Sequence, residues 1–320
     1  MTNKSSSNDS NPQSKRRKPK IGLVLGSGSA RGWAHIGVIE ELESLGIHAD
    51  IVVGCSIGSL VGAAYSANET QALKDWVLEL RMIDVMSFMD LTFKTGFVDA
   101  HRLFGFFQEQ FGAVQIEDLE KPFATVATEL VSGREIWFRD GLLIPAIRAS
   151  SALPGLFAPL DHEGDFLVDG GLVNPVPISL ARAMGADLVI AVNLNAEIVG
   201  KRFKKNDAAG EDAGSNKDDA SESTFMSKVS EYFGASGKSS PPGFMEVMAS
   251  SINIMQDRIT RSRMAGDPAE VLVTPRLAHF GMMEFNRAEE AIEEGRASVQ
   301  RILPQLESYG LIEEPAKEES

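Results

Sequence analysis

Residues 51–58 read IVVGCSIG, with Ser56 held between Gly54 and Gly58 in a Gly-x-Ser-x-Gly pattern that follows a short apolar run. A serine hydroxyl is a weak nucleophile at neutral pH. It needs exposure, a base, and stabilisation of the charge that its attack creates. A sharp turn from strand to helix supplies the exposure: it strains the backbone at the serine, and flanking glycines remove side chains that would clash. The helix that follows points the positive end of its dipole at the hydroxyl. The chemistry open to such a residue is acyl transfer. The pattern alone is short, and a tight turn with an idle serine would read the same way. Cys55, the only cysteine, is a rival nucleophile, but alternation along the strand turns it away from Ser56 and into packing.

A Ser-His-Asp triad needs a histidine, and the chain has His35, His48, His101, His162 and His279. His35 lies within the first helix and His48 in a loop. His101 and His279 lack helpful neighbours, and His162 sits in DHEGD, a turn between strands. None ends a strand before a glycine-rich turn. Asp169 does: it follows FLV and precedes Gly170-Gly171. In an open α/β sheet, sites gather beyond the carboxyl ends of strands. Ser56 and Asp169 are both expected there. A carboxylate bonded directly to the serine could take its proton if burial raises its pKa. The same residues could equally form an Asx-type turn without a catalytic role.

Gly26-Ser27-Gly28-Ser29-Ala30-Arg31-Gly32 joins the strand KIGLVL (20–25) to the first helix. Backbone N–H groups in such a loop can face the upper edge of the sheet and hold an oxyanion, and Arg31 adds positive charge. Gly26, Ser27, Gly28, Ser29, Arg31 and Gly32 are the candidates. Dinucleotide binding is the rival reading. It fails because Arg31 stands where the third glycine should be, and Gly54, not an acidic residue, ends the second strand.

These residues need a scaffold of parallel strands. A helix from Trp33 to Leu45 carries Ile36, Ile39, Leu42 and Leu45 on one face and stops at Gly46. Strand 51–53 and a small-residue helix through Ala67 repeat the β-turn-α unit. Residues 123–138 read as a hairpin, 142–159 as a helix running into a Pro-punctuated loop, and 166–171 as a strand. Residues 178–194 read as helix, glycine stop and strand; 244–264 as a helix, 271–275 as a strand and 284–308 as a helix. The expected organisation is a disordered basic tail (1–19), one domain over 20–310 interrupted by a disordered polar insertion (200–242), and a tail over 311–320. Thr224–Phe233 could form a short amphipathic helix within the insertion.

With 320 residues, 43% hydrophobic, the chain can bury the core of one large domain or two smaller ones. A net charge of −14 argues against a general nucleic-acid binder and gives no electrostatic help toward anionic membranes. One cysteine excludes an internal disulfide and a cysteine-rich metal site. The N-terminus has no apolar signal region, and no run of about 18 uncharged apolar residues occurs. A cytoplasmic protein is expected, with placement at the inner membrane face left open.

Four stretches in order, GLVLGSGSARGWAHIGVIEEL, DIVVGCSIGSLVGAAY, ASSALPGLFAP and LVDGG, closely resemble the bacterial patatin-like phospholipases. That family includes plant patatins and the catalytic domain of neuropathy target esterase. The resemblance covers about residues 20–195. It implies a three-layer α/β/α fold with a mainly parallel sheet, and lipid or lysophospholipid ester substrates; transient contact with a membrane surface is left open. It also implies a Ser56–Asp169 dyad without histidine, metal or other cofactor, and an oxyanion hole in the 26–32 loop, chiefly around Gly28. The family's loop usually has three adjacent glycines, and two of those positions are Ser27 and Ser29 here. Trp33, Leu153, Leu156 and Phe157 are candidates to line an acyl groove. The insertion and the altered loop keep a second reading open, a non-enzymatic or regulatory protein that retains the fold.

Overall fold

The structure, a computed structural model, describes residues 18–88, 101–196 and 244–312. The basic tail through residue 17, the 200–242 insertion with Thr224–Phe233, and residues 313–320 lie outside the described residues.

Three strands with unbroken apolar burial form the centre: β1 (Ile21–Leu25), β2 (Ile51–Cys55) and β7 (Leu188–Val192). Strands covered on both faces need no polar alternation, which explains runs such as IVVGC and LVIAV. The other strands are β3 (Phe123–Glu129), β4 (Glu135–Phe138), β5 (Leu160–His162), β6 (Asp165–Asp169) and β8 (Val271–Val273). The sheet order is β5-β6-β3-β2-β1-β7-β8, with β4 also pairing β3. The pairs linking β3, β2, β1, β7 and β8 are parallel, and those involving β4, β5 and β6 are antiparallel.

Helices cover both faces. Leu23, Leu25 and Val52 pack with α1 (Ala34–Ser44), α2 (Ile57–Ser66) and α9 (Ala288–Gln300). Val24, Ile51 and Val53 pack with α7 (Ile178–Ala183) on the other side. This is the expected three-layer architecture. Three helices, α3 (Thr70–Glu79), α4 (Met82–Phe88) and α5 (His101–Phe111), occupy a stretch the sequence leaves unassigned. The first helix opens one turn earlier, as a 3-10 segment over Ser29–Trp33. Helix α6 (Leu143–Ser150) runs into a loop that carries Pro154 and Pro159, as expected, and α8 spans Phe244–Gly266. The last helix splits into α9 and α10 (Leu303–Ser308), with Pro304 in the first turn of α10. Proline has no N–H to bond the preceding turn, so a new helix starts there. No helix among the described residues is long and apolar enough to cross a membrane.

One topological detail places the site. β3 pairs β2 from Phe123 to Val126, then pairs β6 from Ala127 to Glu129. β4 lies along Thr125–Thr128, overlapping both stretches. A strand has two edges, so β2 and β6 share one, and β6 runs opposite to β2. Their carboxyl ends therefore meet head to head at the Val126–Ala127 junction. Asp169 was expected to join Ser56 as the end of another parallel strand. It arrives instead on an antiparallel one.

Candidate active site

Ser56 connects β2 directly to α2 and adopts φ 55°, ψ −126°. For a residue with a side chain this region costs on the order of 1–3 kcal/mol, so surrounding contacts must hold it. The Ser56 N–H donates to Ser150 Oγ at 2.9 Å, and the Ser56 carbonyl accepts from Ser59 N (2.8 Å) and Ser59 Oγ (2.6 Å). Ser150 Oγ lies 2.9 Å from Thr125 Oγ1, whose hydroxyl donates to the Gly54 carbonyl at 2.9 Å. The turn is closed tightly: a Cβ on Gly54 would lie 2.4 Å from the Gly58 carbonyl oxygen, and one on Gly58 would lie 2.0 Å from the Leu25 carbonyl oxygen. Ser150→Ala leaves the buried Ser56 N–H without its partner. It should cost about 1–3 kcal/mol in denaturant unfolding, with Ser56→Ala measured beside it as the reference.

Asp169 ends β6 and is fully buried. Its Oδ2 accepts from Ser56 Oγ at 2.5 Å, and its Oδ1 accepts from Gly171 N at 2.7 Å. Gly170 and Gly171 open the 3-10 turn that brings this N–H back onto the carboxylate. The Asp169 N–H donates to the Ala152 carbonyl at 2.9 Å, and Thr128 Oγ1 donates to the Asp169 carbonyl at 2.9 Å. Burial raises the carboxyl pKa from 3.8 to about 6, against the lowering effect of the bonds from Ser56 and Gly171. The group is thus ionised at neutral pH yet more basic than a surface aspartate.

The 26–32 loop narrows the expected donor set. Gly26 N donates to the Val192 carbonyl, Ser27 N to Pro175, Ala30 N to Met282 and Arg31 N to Gly28. Gly26, Ser27 and Arg31 therefore have their amides committed to the protein, and Gly32 lies within the 3-10 turn against Ile57. Gly28 and Ser29 are the loop amides without such a commitment among the described residues. Ser29 has φ 53°, the left-handed region in which glycine is favoured. Arg31 is buried; its Nε donates to the Gly28 carbonyl at 3.1 Å and its guanidinium to Asn195 Oδ1 and Asn253 Oδ1, both at 3.1 Å.

Ser27, Gly28, Ser29, Arg31 and Ser56 all line one cleft. Its apolar wall includes Leu60, Leu153, Leu156, Phe157, Ile252 and Met282. Three of the expected groove residues are present. Trp33 is not: it is fully buried, donates Nε1–H to the Phe285 carbonyl at 3.0 Å, and packs edge-on against Trp76.

The histidines with described side chains have other duties. His35 is fully buried, with Nε2 2.8 Å from the Gly26 carbonyl, and burial lowers its pKa to about 4. His162 packs edge-on against Phe138, His279 pairs with Glu290 at 2.8 Å, and His48 lies 3.5 Å from Glu43. The Cys55 thiol is buried in β2, and burial, with the charges of Asp169 and Glu135, pushes its pKa well up. That disfavours the thiolate a nucleophilic cysteine requires. Sequence reasoning missed Thr125, Ser150, Asn195, Asn253 and Gln256. The one local signal was the polar Ser150-Ser151 pair at the end of an apolar helix.

The family model described as patatin-like phospholipase matches residues 23–182. An uncharacterised NTE family protein of Mycobacterium tuberculosis is 31% identical, with 90% of this chain and 92% of that protein covered. A lysophospholipase NTE1 of Pyricularia oryzae is 31% identical over 94% of this chain, which corresponds to 19% of that larger protein. Patatin-like phospholipase domain-containing protein 6 of Mus musculus is 38% identical over 55% of this chain and 14% of its own length. The chain belongs to the patatin-like phospholipase family and is a lipid ester hydrolase.

Proposed function

We propose that this protein cleaves the acyl ester of a phospholipid or lysophospholipid through a Ser56–Asp169 dyad and an acyl-enzyme. The observation that carries this reading is the 2.5 Å contact between Ser56 Oγ and the buried Asp169 Oδ2 at the floor of an apolar cleft. Ser56 Oγ attacks the ester carbonyl carbon while its proton passes to Asp169 Oδ2. The carbonyl oxygen becomes an oxyanion held by the N–H groups of Gly28 and Ser29. The tetrahedral adduct collapses, the C–O bond to the alcohol breaks, and Asp169 returns the proton to the departing oxygen. Water then attacks the acyl-serine. Asp169 takes a proton from it and passes that proton to Ser56 as the fatty acid leaves. Gly171 N–H fixes the carboxylate so that Oδ2 faces the serine throughout.

The lysophospholipid option is supported by the fungal relatives, which are named lysophospholipases. A fluorophosphonate probe should label the wild-type protein at Ser56 and leave Ser56→Ala unlabelled. Equal labelling of both would remove Ser56 as the nucleophile. A panel of phospholipids and lysophospholipids, with Ser56→Ala beside it, identifies the ester class by released fatty acid.

A further inference from the structure

Each peptide of the loop around Gly28 is tied by its carbonyl to a buried side chain. His35 Nε2 lies 2.8 Å from the Gly26 oxygen, Asn195 Nδ2 donates to the Ser27 oxygen at 3.2 Å, and Arg31 Nε donates to the Gly28 oxygen at 3.1 Å. In a trans peptide the C=O and the following N–H point in opposite directions. Tying the Ser27 and Gly28 carbonyls on the Asn195 and Arg31 side therefore turns the N–H groups of Gly28 and Ser29 the other way. We infer that Asn195 is a positioning residue for the oxyanion hole: it aims the Gly28 N–H by holding the Ser27 carbonyl.

The orientation of the Asn195 amide is itself determined. Arg31 can only donate hydrogen bonds, and it donates to Asn195 Oδ1. The amide nitrogen must then face Ser27, and its second hydrogen goes to Gln256 Oε1 at 3.0 Å. The backbone N–H of Asn195 donates to Asn193 Oδ1 at 3.0 Å. Gln256 Oε1 also lies 3.4 Å from Ser27 Oγ, and Asn253 anchors Arg31. Asn195, Arg31, Asn253 and Gln256 are all nearly excluded from solvent, with Asn195 1% and Gln256 3% exposed. Two segments far apart in sequence, the turn after β7 and helix α8, thus set the direction of a loop peptide that follows β1. Buried amides with every bond assigned resist rotation, because any turn leaves a polar atom unsatisfied.

The inference rests on the Ser56 hydrolase reading, and its test separates the two. Asn195→Asp keeps the shape and the acceptor for Arg31 but sets an oxygen against the Ser27 carbonyl. On a short p-nitrophenyl ester, kcat should fall about 10–100-fold, less than or equal to the loss of a whole oxyanion donor, with KM within about twofold. A trifluoromethyl ketone, whose serine adduct carries an oxyanion, should lose affinity in proportion to kcat/KM. A purely structural defect would lower the unfolding midpoint without that proportion. Asn195→Ala, which removes the same donor without adding charge, gives the same readout if the Asp variant does not fold. Wild-type kcat, or a changed KM with ketone affinity kept, overturns the inference while leaving Ser56 in place. If wild type and Ser56→Ala turn the ester over equally, the nucleophile reading fails and the inference falls with it.

Discussion

Asp169→Asn is expected to lower kcat on short p-nitrophenyl esters by about 10²–10⁴-fold, the range for loss of a positioned general base, and to stabilise the protein at pH 7. The second effect follows from the first role. Asp169 is completely buried, and its pKa rises from 3.8 to about 6, chiefly because burial penalises the charge. A carboxyl with a raised folded-state pKa contributes stability that is fully present below 3.8 and is lost as pH rises through about 6. At pH 7 the ionised form therefore weighs against the folded state by on the order of 2–3 kcal/mol. Asparagine removes that charge and can keep both bonds, with its oxygen facing Gly171 N–H and its amide facing Ser56 Oγ. Denaturant unfolding at pH 7 and pH 4 checks the sign: the variant should be the more stable at pH 7, with the gap shrinking at pH 4. A variant destabilised equally at both values would mean that Asp169 acts as a structural anchor and not as a strained base.

Gly58→Ala is expected to cost about 3 kcal/mol or more, or to leave the protein insoluble. Its Cβ would lie 2.0 Å from the Leu25 carbonyl oxygen and 2.8 Å from that of Gly26. These are backbone atoms at the end of β1, and β1 cannot withdraw because it is hydrogen-bonded to β2 on one side and β7 on the other. Gly62, one turn further along α2, gives the control. A Cβ there meets side-chain atoms of Phe123 and Val52 at 3.1 and 3.2 Å, which can shift by a few tenths of an ångström. Gly62→Ala should express and unfold close to wild type. Equal tolerance at both positions would show that the approach of α2 to β1 is looser than the Gly58 contact requires.

Much of the site was legible because its signals are local. Ser56 between two glycines after an apolar strand reads as an elbow, since few residues tolerate φ 55° with a helix starting at once. Asp169 before Gly170-Gly171 reads as a carboxylate at a strand end, and so it is. What the sequence conceals is pairing at long range. The direction of β6 is fixed by its ladder with β3, which lies some 40 residues earlier, and hydrophobic pattern carries no record of parallel or antiparallel partners. The loop donors were over-assigned for the same reason. Gly26 and Ser27 look as available as Gly28 until Val192 and Pro175 take their amides. Asn195 and Gln256 lie 168 and 229 residues from Ser27, and an asparagine in the turn after a strand looks like any turn former. Trp33 was misplaced because position beside a glycine loop says nothing about which face of the helix its ring takes.

The central claim is that a buried carboxylate activates Ser56 without a histidine. The most direct measurement is the rate of fluorophosphonate labelling at Ser56 from pH 4 to pH 8, followed by peptide mass spectrometry in wild type, His35→Ala and His162→Ala. The account predicts one sigmoidal rise with its midpoint near pH 6, the value to which burial brings Asp169, in all three proteins. A rise that vanishes in either histidine variant, or a rate independent of pH across that range, would contradict it.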